Sequence, residues 1–190
     1  EILVRSDQHI LFSDKWIFIA AERSNQIWKI ESKNGNASLF LENENYSIRP
    51  VEFQDNILIV QAIRTKGSSR YEIWGYDLTS GDRIWQIIPQ AFRSIEVNAS
   101  SIIDSAGVYD IHLTSNKLIL LQAFDDPARI TFDQIDLASG VVQKQTSFTL
   151  PDQTVFSLSL IGWQDQIAWL DTDEIYGFDS FTGQPIAQWP

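Results

Sequence analysis

Short apolar runs alternate with short polar turns along the whole chain, and no stretch carries a helical period. The runs in "SDKWIFIA", "QDNILIV", "SNKLILL" and "QDQIAWL" each follow directly on a polar turn. They are rich in β-branched and aromatic residues, which suits strands buried on both faces. Downstream of each lies a second motif: "IWKIESKNG" (27–35), "IWGYDLTSG" (73–81), "FDQIDLASG" (132–140) and "IYGFDSFTG" (175–183). In each motif an acid stands four residues before a glycine: Glu31 before Gly35, Asp77 before Gly81, Asp136 before Gly140 and Asp179 before Gly183. A large apolar residue precedes each acid (Ile30, Tyr76, Ile135, Phe178), and another lies four positions before it (Ile27, Ile73, Phe132, Ile175). Four matches in one register mark an internal repeat.

The upstream turns supply a second anchor at Asp14, Asp55, Asn116 and Asp165, which lie 17, 22, 20 and 14 residues before the motif acids. Both anchors recur together, so the unit reads as four strands. The first ends at the Asp/Asn turn, the second is the apolar run, and the third ends on the acid. The glycine closes a tight turn with positive φ, and the acid accepts backbone N–H groups across it. The fourth strand follows in "ASLFLE", "DRIWQII", "VVQKQTSF" and "QPIAQWP". The motif acids are 46, 59 and 43 residues apart, close to the length of a four-stranded propeller blade. The expected fold is therefore all-β, a β-propeller of four-stranded antiparallel blades. The blades fall at about 8–45, 46–89, 107–150 and 154–190, with an insertion at 90–106. A β-sandwich is the alternative.

The pattern apolar–x–x–apolar–Asp–x–x–Thr/Ser–Gly, followed by x–x–Ile–Trp, resembles the blade repeat of quinoprotein-like (PQQ-like) propellers. "YDLTSGDRIW" (76–85) matches best and "FDSFTGQPIAQW" (178–189) next. "IDLASGVVQK" lacks the tryptophan, and "IESKNGNASLF" has Glu for Asp and Phe for Trp. The resemblance implies that the motif docks neighbouring blades and does no chemistry, with Trp85 and Trp189 packed between blades. Enzymatic members of that family use a calcium site beside the quinone and, in many, vicinal cysteines. This chain has no cysteine and no acid cluster that matches the calcium site. It stands nearer to the family's non-catalytic scaffold propellers, and no cofactor is implied.

With 190 residues, 44% of them hydrophobic, seven Trp and eleven Phe, the chain can build a bulky core. The net charge of −11 and the lack of any Lys/Arg run argue against nucleic acid and anionic lipid as partners. The apolar runs are too short to span a bilayer. Without cysteine there are no disulfides, thiolate metal sites or Cys nucleophiles. "EILVRSDQHI" shows no charged head before an apolar stretch and no initiator Met, which suggests a processed or trimmed chain. Three sequons, at Asn36, Asn45 and Asn98, point towards glycosylation outside the cell. The absence of cysteine points the other way, and the compartment stays open.

Candidate chemistry is sparse. His9 and His112 fall on predicted first strands, beside Asp110 in the second case. They are not equivalent in the repeat, and two histidines cannot make a three-His zinc site. Asp125 and Asp126 in "FDDPAR" offer hard-cation oxygens, but Asp-Asp-Pro is also ordinary turn chemistry. Arg64, Lys66 and Arg70 in "RTKGSSR" form a basic cluster in an acidic protein. They serve as an anion or partner contact, or simply as a solvated hairpin tip. The insertion carries Phe92, Arg93, Ile95 and Glu96, the preferred partner contacts, although it could equally pack over a blade rim.

In a propeller these connections emerge on one face, where recognition residues concentrate. The functional expectation is a non-catalytic interaction module that binds another protein through that loop face. The alternative is an enzyme or small-ligand binder using the channel mouth. "EILVR" reads as an outer strand left over in front of four complete units. A larger propeller is therefore expected, completed by further blades or by self-association.

Overall fold

The computed structural model describes residues 8–66, 71–90, 109–114, 116–125, 128–149, 159–164, 167–171, 175–179, 181–182 and 184–189. All described regular structure is β. The first sheet holds β1 (Gln8–Phe12), β2 (Trp16–Ala21), β3 (Gln26–Glu31) and β4 (Ala37–Glu42). The second holds β5 (Tyr46–Gln54), β6 (Ile57–Arg64), β7 (Tyr71–Asp77) and β8 (Arg83–Ile87). The third holds β9 (Tyr109–Thr114), β10 (Lys117–Asp125), β11 (Ala128–Asp136) and β12 (Val142–Thr149). The fourth holds β13 (Ser159–Gln164), β14 (Ile167–Asp171), β15 (Ile175–Asp179) and β16 (Pro185–Trp189). Each sheet is antiparallel, with its strands adjacent in chain order. Two compact units form, one carrying β1–β8 and the other β9–β16.

The repeat governs register. The first residue of each second strand pairs with the motif acid: Trp16 with Glu31, Ile57 with Asp77, Lys117 with Asp136 and Ile167 with Asp179. This corrects one expected equivalence. Asp14 and Asp55 open their two-residue turns, whereas Asn116 stands directly before β10 and matches Lys15 and Asn56 instead. Its positive φ of 66° is one that Asn tolerates. The shared feature is a carbonyl: those of Lys15, Asn56 and Asn116 accept the N–H one residue after the acid, from Ser32, Leu78 and Leu137. A backbone bond thus joins the two anchors of the repeat, independent of the side chain at the turn.

The motif itself is a closed hairpin loop. The acid's carbonyl accepts the glycine N–H: Gly35 donates to Glu31, Gly81 to Asp77 and Gly140 to Asp136, each at 2.8 Å. The φ angles are 73° at Gly35, 79° at Gly81 and 69° at Gly140, the left-handed conformation expected of the turn. Asp77 Oδ1 accepts the N–H groups of Thr79 (2.7 Å) and Ser80 (2.8 Å), and Asp179 Oδ1 those of Phe181 and Thr182 (2.8 Å each). Asp136 Oδ1 accepts the N–H and hydroxyl of Ser139 at 2.9 and 2.6 Å. Glu31 departs from the expectation. Its longer carboxylate accepts the Asn34 side-chain amide at 2.6 Å, and Asn34 Oδ1 in turn accepts the N–H of Asn36. Gly183 lies outside the described residues.

Sheets pack face to face within each unit. In the first, Phe18, Ala20 and Ile27 of the first sheet meet Leu58, Val60, Trp74 and Tyr76 of the second. In the other, Ile119, Leu121, Ile130 and Phe132 of the third sheet meet Ala168, Leu170, Tyr176 and Phe178 of the fourth. The positions are equivalent in the repeat. One face carries the residue four before the acid, and the other carries those three and one before it. Burying each large side chain contributes about 1.5–3 kcal/mol. The expectation that second strands are buried on both faces holds for β6 but not for β2. Ile17 and Ile19, on the face of β2 that points away from the second sheet, are only half-buried.

Candidate functional site

Asp77, Asp136 and Asp179 each sit at the end of their own sheet and are engaged by their own turns. Gly35 and Gly81 are exposed, Gly140 is half-buried, and neither they nor the motif acids line either of the clefts described below. The Ser80 and Thr79 N–H groups, aided by the Asn56 amide, hold the Asp77 carboxyl below its ordinary range against a smaller desolvation effect. The Ser139 hydroxyl and N–H do the same for Asp136. These carboxylates are tuned as turn caps, not as bases.

Among the described residues two acids are buried instead, and the motif did not mark either. Glu72 accepts the Tyr46 hydroxyl (2.8 Å), the Trp74 indole N–H (2.8 Å) and the Gln86 amide (2.7 Å). Asp133 accepts the Gln122 and Gln145 amides at 2.6 Å each, while Gln122 Oε1 accepts the Gln90 N–H at 2.6 Å. Burial pushes the Asp133 carboxyl up, and the two amides oppose that shift. Both groups are fully occupied in holding strands together. Buried carboxylates so satisfied are packing elements.

Two surface clefts lie in the first unit. One, of about 440 Å³, is lined by Ser13, Asp14, Lys15, Trp16, Asp55 and Asn56 among others, at the turns that enter β2 and β6. The Lys15 and Lys29 ammonium groups lie over the Trp16 ring there, at 5.2 and 4.6 Å. The other, of about 400 Å³, lies between β1 and β5 and is lined by His9, Ile10, Leu11, Arg49, Pro50 and Val51. Burial first, and then the Arg49 charge, lower the His9 pKa, against an opposing pull from Glu22. The imidazole is therefore neutral at pH 7 beside a permanent guanidinium charge, a pair suited to hydrogen-bonding a small anion. Arg49 carries no motif that would single it out. Asp110 and His112 lie on β9 in the other unit, and their side chains fall outside the described residues.

Of the expected loop contacts, Arg64 ends β6 and is exposed, as is Lys66. Thr65 between them ties the connection down, its N–H and hydroxyl both donating to the Asn45 carbonyl at 2.9 and 3.0 Å. Arg70, Phe92, Arg93, Ile95, Glu96 and Asp126 lie outside the described residues. Asp125 pairs with Ala128 where β10 turns into β11, with its side chain not described. Among the described residues no group of three or more His, Asp or Glu could hold a metal ion. Trp85 is buried across Gly75 of its own sheet, and the Trp189 side chain lies outside the described set.

The chain matches no family model and no curated protein. It is similar to solved structures at low identity. One is a europium-containing methanol dehydrogenase, 12% identical, with a TM-score of 0.55 over 95% of this chain and 41% of that one. Another is a chain from a structural study of two prolyl endopeptidases, 15% identical, with a TM-score of 0.55 over 92% and 24%. A chain of the mitotic checkpoint complex is 12% identical, with a TM-score of 0.41 over 95% and 62%. The chain thus spans less than two thirds of each. The sheet order, the repeat and the similarity to the methanol dehydrogenase and prolyl endopeptidase structures together make this an all-β β-propeller fold.

Proposed function

We propose that this chain is a non-catalytic propeller module of the quinoprotein-like repeat type, which binds another protein through its loop face. The observation that carries the reading is the fate of the repeat acids. The one acidic side chain that recurs in every unit is held within its own turn, so the repeated chemistry is architectural. What then distinguishes the units is their connections. Arg64 and Lys66 flank an anchored Thr65 and project positive charge from a protein of net charge −11. Such a local patch suits an acidic segment of a protein partner. The insertion residues Phe92, Arg93, Ile95 and Glu96 are proposed to extend the same surface, as is Arg70.

The test replaces residues 92–96 with a Gly/Ser segment and, separately, Arg64 and Lys66 with Glu. Folding should persist, and proteins captured by the wild type should be lost. Recovery of the same proteins by both variants overturns the loop-face assignment.

The His9–Arg49 cleft supports a second reading, a small-anion binder. A thermal-shift screen with inorganic phosphate, carboxylates, sugars, quinones and divalent metals separates the two. A rise of several degrees with an anion, abolished by Arg49→Ala, favours the cleft.

A further inference from the structure

Two exposed apolar positions are out of step with their repeat equivalents, and they are complementary. The residue three before the motif acid is Trp74 in the second sheet, Asp133 in the third and Tyr176 in the fourth, all buried. Its counterpart in the first sheet, Trp28, is 43% exposed. The residue four before the acid is Ile27, Ile73 and Phe132 in the first three sheets, each completely buried, but Ile175 in the fourth is 39% exposed. Trp74 and Tyr176 on one side, and Ile27 and Phe132 on the other, form the two opposing halves of the interface that packs sheet on sheet within each unit. Trp74 and Tyr176 stand on the half that receives a preceding sheet, while Ile27 and Phe132 stand on the half that enters a following one.

The exposed surface of the first sheet is wider than one tryptophan. Register pairs Phe12 with Ile17, Ile10 with Ile19, Ile19 with Trp28 and Trp28 with Leu39, so all share one face. Phe12 is 69% and Leu39 42% exposed. A bulge between Ile27 and Trp28 turns Leu39 onto that face; in the other three sheets the bulge lies nearer the acid. An apolar patch of this composition marks an association surface.

We infer that a second copy of this chain covers it. The Ile175 face of the fourth sheet of one copy docks on the Ile17, Ile19, Trp28 and Leu39 face of the first sheet of the other, repeating the packing already present within each unit. The occupant is identified by position. The chain itself carries the matching half-interface, exposed, at the equivalent residue. The contact is heterologous, and two copies offer two such contacts.

Light scattering coupled to gel filtration tests this across a concentration series. The expected mass is twice 21.7 kDa for the wild type. It should fall to that of one chain for Trp28→Asp and for Ile175→Asp, with unchanged circular dichroism. Leu39→Glu, at a solvent-accessible position, serves where Trp28→Asp disturbs folding. Mixing Trp28→Asp with Ile175→Asp should restore a pair, because one of the two contacts is then free of substitutions. A wild-type monomer at all concentrations overturns the inference. So does a dimer indifferent to these changes, or a mixture of the two variants that stays monomeric.

Discussion

The indole of Trp85 lies flat across the α-carbon of its cross-strand partner Gly75, where any Cβ would overlap the ring. Trp169 lies in the same way over its partner Gly177, 2.7 Å from where a Cβ would stand. Both glycines occupy the position two before the motif acid. The third strand is there stripped of a side chain so that an aromatic ring from a neighbouring strand can close the sheet's surface. The ring comes from the fourth strand in one sheet and from the second strand in the other, so the glycine is the common element and the tryptophan's origin is not.

Gly75→Ala should therefore destabilise the protein by about 1–3 kcal/mol through overpacking. Trp85→Ala should destabilise it through lost burial. The double variant should lose clearly less than the two single effects combined, because the alanine methyl then enters vacated space. Urea denaturation of the four proteins measures the cycle. Strict additivity would mean that the two residues do not share this contact.

Gly81 gives a contrasting case. It has φ +79° and nothing within 4 Å of where a Cβ would stand, so the cost of substitution is purely conformational. Gly81→Val should lose more than about 1 kcal/mol. Gly81→Asn should lose less, since Asn tolerates the left-handed region. Equal melting temperatures for wild type and Gly81→Val would show that the loop does not need this conformation.

Acid titration separates the carboxylates by sign. Asp77 and Asp136 are held below their ordinary pKa in the fold. The stability they contribute is complete above the unfolded value near pH 4, and it is lost as pH falls through their lower folded values. Asp133 is raised. The fold keeps its proton longer than the unfolded chain does, so its contribution diminishes as pH rises from about 4 through its folded value. Asp77→Asn should therefore cost most at neutral pH, and its denaturation midpoint should approach that of the wild type as pH falls below about 3. A gap between the two proteins that stays constant down to about pH 2 would sink this assignment.

The spacing of acid and glycine was readable because it serves a local purpose. A bond from the acid's carbonyl to the glycine N–H four residues on, made alike at Gly35, Gly81 and Gly140, is set by a handful of consecutive residues. The apolar runs revealed the second strands for the same reason, as did the positions of the third-strand acids. The turn side chains misled in one unit, where Asn116 sits one place later than Asp14 and Asp55. There the partner of the motif is a backbone carbonyl, which every residue offers, so no side-chain pattern records it.

The amino-acid sequence by itself determined the four repeats, their strand order and the loops that end each third strand. Only the tertiary structure decided which faces are covered. "QIWKI" and "EIWGY" place Trp28 and Trp74 at the same repeat position, yet one is 43% exposed and the other wholly buried. The physical reason is that burial on a sheet face is conferred by the next sheet, not by the strand's own residues. The same holds for His9 and Arg49, far apart in the chain and brought to one cleft by the packing of β1 on β5. Local chemistry writes the blade, and the neighbour across the interface decides what each face becomes.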